Sequence, residues 1–112
     1  MGKYERVSWG KEIEYTSPNT GRTTTLYSIA TLAEALGRTS QTIRKWEVAG
    51  ILPETPFRLK GKRMYSEEHI DAVVRCAEKA KLSSGNPISN TNFSKNLYKE
   101  FERIYDLFFK EG

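Results

Sequence analysis

Apolar residues recur along this chain in separate stripes, and the stripes set the expected elements. Ile29, Leu32, Ala33 and Leu36 fall at i, i+3, i+4 and i+7, the spacing of one buried helix face. Ile43 and Trp46 form a shorter stripe three residues apart. Ile70, Val73, Val74 and Ala77 repeat the first spacing. Near the end, Leu97, Phe101, Ile104 and Phe108 are spaced 4, 3, 4, and Tyr98, Tyr105, Leu107 and Phe109 widen that stripe. Two stretches follow a different rule. Residues 11–17 alternate apolar and polar, and residues 22–28 are rich in β-branched and aromatic types. Between them lies Pro18-Asn19-Thr20-Gly21, a strong turn sequence, so a β-hairpin is predicted there, with Trp9 packed beneath it.

Capping residues punctuate the helical stripes. Thr31 and Glu34 fit a capping box for the first helix, with Ser28 as a competing N-cap. Gly37 is suited to the left-handed residue that ends it. Thr39 is a good N-cap for a second helix whose first turn is Ser40-Gln41-Thr42. Gly50, Ile51 and Pro53 then stop that helix. Two short helices around a tight glycine-containing turn make a helix-turn-helix. Residues 54–65 place Phe57, Leu59 and Tyr65 around Lys60-Gly61-Lys62, which reads as two short strands with a basic tip. Ser66 caps a third helix that opens with Glu67 and Glu68, where acids suit the helix dipole. Residues 82–92 break any helix at Ser83-Ser84-Gly85-Asn86-Pro87. Asn92 then caps a last helix over 93–110.

Charge changes the picture by its distribution. The whole chain of 112 residues carries +4. Between Arg38 and Arg63 there are seven cations against two acids, Glu47 and Glu54, so the surplus lies in one short stretch. A solvated face and an anionic partner both fit such a stretch. The length suits one domain with a modest core. Cys76 is the single cysteine, which excludes an internal disulfide framework and fits a reducing compartment. His69 and Cys76 share a helix face, but a metal site needs more ligands than these two, and neither a metal nor another cofactor is expected. Cys76 reads as a small buried apolar residue. No nucleophile–base pair or phosphate loop stands out, so an enzyme is not expected. No apolar run approaches a membrane span or a signal-peptide core, which predicts a cytoplasmic protein.

Three strings carry a resemblance. Leu26-Tyr-Ser-Ile-Ala-Thr-Leu-Ala-Glu-Ala-Leu-Gly37 resembles the opening strand and first helix of MerR-family domains. Thr42-Ile-Arg-Lys-Trp-Glu-Val-Ala-Gly-Ile-Leu-Pro53 is similar to their second helix and its exit. Lys60-Gly-Lys-Arg-Met-Tyr-Ser-Glu-Glu-His-Ile70 looks like their wing and following helix. The resemblance covers about half the chain, in the family's order and spacing. It implies a fold that is mainly α with small β elements: a winged helix-turn-helix over 26–81, preceded by a hairpin extension over 1–25. A linker over 82–92 and a C-terminal helix over 93–112 follow. Ser40 departs from the proline common in relatives, a harmless change at a first helical position. The hairpin before Leu26 is longer than usual. The segment after Lys81 is too short for a typical effector-binding domain, so effector sensing is not implied.

The resemblance also implies a partner, double-stranded DNA at the nucleoid. The second helix would offer Ser40, Gln41, Thr42, Arg44 and Lys45 to the major groove, where each base pair shows its own donor and acceptor pattern. Gln41 suits adenine, and Arg44 or Lys45 suits guanine; contacts to phosphate alone fit the same cations. Arg58, Lys60, Lys62 and Arg63 on the wing suit the backbone or minor groove, and Arg38 suits a phosphate. Tyr65 packs its ring inward with its hydroxyl a further phosphate candidate, whereas Trp46 reads as core. The stripe of Leu97, Phe101, Ile104, Tyr105 and Phe108 fits two arrangements: a homodimer seam, or a helix folded back on its own domain. A sequence-specific transcription regulator is the leading reading. An architectural phage protein, either an excisionase or a terminase small subunit, and a protein-interaction adaptor are the alternatives.

Overall fold

The computed structural model describes residues 12–82 and 91–110. Trp9 and most of the 82–92 linker lie outside them. Strand β1 (Ile13–Thr16) leads to β2 (Thr23–Ser28), α1 (Ile29–Leu36) and α2 (Ser40–Val48). Then come β3 (Phe57–Leu59), β4 (Lys62–Ser66), α3 (Glu67–Lys79) and α4 (Phe93–Phe109). The four strands form one antiparallel sheet in the order β1-β2-β4-β3. Leu26 pairs with Ile13 on one side and Ser66 on the other. The predicted hairpin is therefore continuous with the wing, and a boundary between residues 25 and 26 falls inside β2.

Local signals fix the helix ends. Gly37 takes the left-handed conformation (φ 67°) after α1, which a residue with a Cβ adopts only at a cost. Helix α1 begins at Ile29 with Ser28 as its N-cap, without a side-chain cap bond. The capping box proposed for Thr31 and Glu34 is thus displaced. The helix starts three residues earlier than that box requires, and Thr31 is buried. Thr39 caps α2 by accepting from the Thr42 N–H (3.2 Å), and Ser66 caps α3 by accepting from the His69 N–H (3.1 Å). At the exit of α2 the N–H groups of Ile51 and Leu52 both donate to the Trp46 carbonyl.

Helix α4 decides how the core closes. Its first half puts Phe93, Leu97 and Phe101 among Tyr27, Leu32, Ile43, Trp46, Tyr65 and Val73. Its second half puts Ile104 and Phe108 beneath the sheet with Leu26, Phe57, Met64 and Ala72. Burying such a side chain contributes about 1.5–3 kcal/mol. Releasing all five would cost on the order of the 5–15 kcal/mol by which a whole domain is stable. Leu97, Phe101, Ile104 and Phe108 are thus occupied within the chain, so of the two arrangements that fit the stripe the structure shows the fold-back. Tyr105 differs: it lies on the outer face and is half exposed.

Both ends of α4 are tied by polar groups. At its start the Ser94 hydroxyl donates to the Ile51 carbonyl (2.8 Å), and the Tyr98 hydroxyl donates to the Gly50 carbonyl (2.9 Å). At its end the β1–β2 turn supplies donors to carbonyls that have no partner inside the helix. Ser17 donates to Phe108 O, Asn19 Nδ2 to Phe109 O (3.2 Å) and Thr20 to Leu107 O (2.8 Å).

His69 is structural. Its ring is buried with Phe101 at 4.5 Å and Phe57 at 5.8 Å between centroids. Ser66 Oγ accepts from the His69 backbone N–H (3.1 Å) and shares a second hydrogen bond with the ring's Nδ1 (2.6 Å). Burial lowers the imidazole pKa from 6.5 to about 4, with Glu68 opposing the shift. The unfolded chain therefore binds a proton that the folded chain refuses between those values. Stability from this group is complete above pH 6.5 and is lost as pH falls toward 4, by up to about 3 kcal/mol. Urea denaturation at pH 7 and pH 4.5, with the His69 ring resonances titrated alongside, checks this. Unchanged stability together with a ring midpoint near 6.5 would refute it.

Candidate nucleic-acid interface

Helix α2 presents two unlike faces. Ile43 and Trp46 are buried, with the Trp46 ring edge-on to Phe93 at 5.5 Å. That seats the helix on the core and turns Gln41, Arg44 and Lys45 to solvent, while Ser40 and Thr42 lie half-buried on the flanks. The free hydroxyl face of Thr42 is limited by its contact with Thr39 Oγ1 at 3.1 Å. The exposed set contains one amide and two cations and no acid. It can donate to base-edge acceptors or to phosphate oxygens.

The β3–β4 hairpin lies beside this face. Its turn is Lys60-Gly61, both with positive φ (51° and 79°), the backbone of a two-residue turn that follows strand twist. Arg58, Lys60 and Lys62 are exposed around the tip. Ser40 and Arg44 from α2 meet Gly61, Lys62 and Arg63 around one open groove of about 430 Å³. The structure thus brings the second helix and the wing together as the sequence suggested.

Two predicted contacts take other roles. Arg63 turns away from solvent to pair with Glu47: Nε donates to Glu47 Oε1 at 2.6 Å, and a second guanidinium nitrogen binds the same oxygen. The Glu47 side chain is 4% exposed and that of Arg63 26%. The hydrogen bond to Glu47 raises the Arg63 pKa further above its ordinary value. Arg63 is therefore a positioning residue that locks the wing against α2. Tyr65 is corrected as a phosphate contact. It is wholly buried, its hydroxyl has no hydrogen-bond partner among the described residues, and burial raises its pKa. A side chain pointing into the core from a strand cannot also reach a ligand beyond the sheet.

Arg38 stands apart from the wing groove. Its guanidinium lies over the Trp46 ring at 5.7 Å and borders a second groove with Leu36, Val74 and Ala77. It remains an exposed cation in the turn before α2. Glu47 is a functional residue that the charge pattern hides, because one acid in a basic stretch reads only as a reduction of net charge. Its position one residue from the buried Trp46 is the signal that could have pointed to a partner. Among the described residues no group of three or more His, Cys, Asp or Glu side chains could hold a metal ion. Nor is any helix there long and apolar enough to cross a membrane.

A family model described as MerR HTH family regulatory protein matches residues 27–78. The HTH-type transcriptional regulator ZntR homolog of Haemophilus influenzae is 37% identical over 89 residues, which cover 74% of this chain. The chain spans 65% of the length of that relative. No solved structure matches the chain significantly.

The Arg63–Glu47 pair gives an asymmetric prediction. Arg63→Ala leaves a carboxylate buried without its cation and should lower stability by about 2 kcal/mol. That is less than the roughly 3–5 kcal/mol of a wholly buried pair, because Arg63 is partly exposed. Glu47→Gln keeps an acceptor for Arg63 and should cost about half as much. Urea denaturation of both variants measures the difference, and two wild-type curves would show that the pair contributes nothing.

Proposed function

With residues 27–78 a helix-turn-helix domain of the MerR family, we propose that the chain is a DNA-binding transcriptional regulator, acting in the cytoplasm on the nucleoid. The observation that carries this reading is the groove shared by α2 and the wing, with Arg44 and Lys62 on its two sides. In the proposed complex α2 enters the major groove. Gln41 suits an adenine edge, and Arg44 or Lys45 suits guanine. Ser40, at the start of the helix, suits phosphate, and Thr42 suits a thymine methyl or a phosphate. Arg58, Lys60 and Lys62 bind backbone or the minor groove and add affinity by counterion release. Arg38 is a further phosphate contact, bordering a different groove from the wing. Arg63 contributes by holding the wing rather than by touching DNA.

Homodimerisation on two half-sites about 34 Å apart would follow the geometry of related motifs. The stripe of Leu97, Phe101, Ile104 and Phe108 is buried within the chain, so such a dimer would use other surfaces. On α4 the half-exposed Tyr98 and Tyr105 are the aromatic groups left outside. Sedimentation with and without duplex DNA tests this.

Loss of Arg44 should be the most informative change. Arg44→Ala should weaken duplex binding by about 1–3 kcal/mol and relax preference at one base pair if the side chain reads guanine. Lys60→Ala should weaken binding evenly across sequences and reduce the log–log salt slope by about 0.9. Fluorescence anisotropy over a salt series reads both. Binding unaffected by Arg44→Ala would remove the main support for DNA recognition and favour a protein-interaction role. A circularly permuted duplex that shifts strongly on binding would favour the architectural role over simple regulation.

A further inference from the structure

Val48 is the most exposed large apolar residue among those described, at 85%. Single exposed valines are common on protein surfaces, so exposure alone carries nothing. Its place on α2 carries the argument. At about 100° per residue, Val48 lies about 20° from Gln41, with Arg44 about 40° to one side and Lys45 about 60° to the other. It is thus near the centre of the exposed face and opposite Ile43 and Trp46. Gln41, Arg44, Lys45 and Val48 stand at i, i+3, i+4 and i+7. Helices that lie along a major groove make base contacts with the same spacing.

The surroundings narrow the chemistry. The one acid of α2, Glu47, is drawn to the flank by Arg63, so the face holds one amide, two cations and an isopropyl group. An isopropyl group can neither donate to nor accept from a base edge or a phosphate. The apolar feature displayed by the major groove is the 5-methyl group of thymine. We propose that Val48 is a specificity-determining residue that packs against a thymine methyl in the target site. This rests on the reading of α2 as the helix that enters the major groove.

The test uses the full chain and duplexes that it selects from a randomised pool. Each thymine of the selected site is replaced in turn by deoxyuridine, which keeps every hydrogen-bonding group and removes the methyl. At one position the wild-type chain should lose about fourfold in affinity, the change carried by one buried methyl. Val48→Ala should bind the thymine duplex about as weakly as wild type binds the uracil duplex, and should lose little more on the replacement. Because Val48 is outside the core, the variant's unfolding curve should match wild type, which separates a binding effect from a folding effect. Three outcomes overturn the inference while leaving DNA recognition standing: a selected site without thymine, no uracil penalty at any position, or a penalty that Val48→Ala leaves intact. Selection of no duplex at all overturns the DNA reading itself.

Discussion

The edge-on contact between Trp46 and Phe93 is the interaction on which the rest of the arrangement depends. It joins the inner face of α2 to the first turn of α4, in a core that also contains Ile43, Leu52 and Leu97. A helix of nine residues is marginal by itself in water. Seated on this aromatic pair, α2 has one inward face and one outward face, and the outward face is where its polar residues gather. The donors from Ser94 and Tyr98 at the exit of α2 act in the same direction, since they fix the end of the helix against the same neighbour.

Charge is arranged around that seat with little waste of position. On the proposed DNA-facing surface Glu47 would repel phosphate. Its pairing with Arg63 removes it from the face and at the same time holds the wing beside α2. Arg38 over the Trp46 ring is held by a cation–π contact in the turn before the helix.

The parts legible in the sequence were those set by neighbouring residues. Gly37, Thr39 and Ser66 act within one turn of themselves, and each does what its type predicts. The alternating stretches gave the hairpin, and Lys60-Gly61 gave the wing turn. What the sequence left open was decided over longer distances. The α4 stripe buries the same residues whether it meets another helix or its own domain, so its spacing could not choose. The choice depends on the space left by α3 and the sheet, and on the β1–β2 turn reaching the carbonyls of residues 107–109. Arg63 looked like one of four wing cations because its partner is 16 residues away. The pattern points the Tyr65 ring inward, and only the packed sheet shows that its hydroxyl goes inward with it.

Lys60 carries a further consequence. It holds a left-handed backbone (φ 51°) at the tip of the wing, a conformation that asparagine or glycine adopts more readily. A residue chosen for the turn alone would not be lysine. The tip therefore trades backbone ease for an outward charge, and the drift expected under selection for stability alone is toward a smoother turn and a blunter wing. A relative bearing Asn-Gly at this tip would be expected to fold at least as firmly and to hold the proposed DNA partner less tightly, so this one backbone angle ties how well the hairpin folds to how strongly its end is charged.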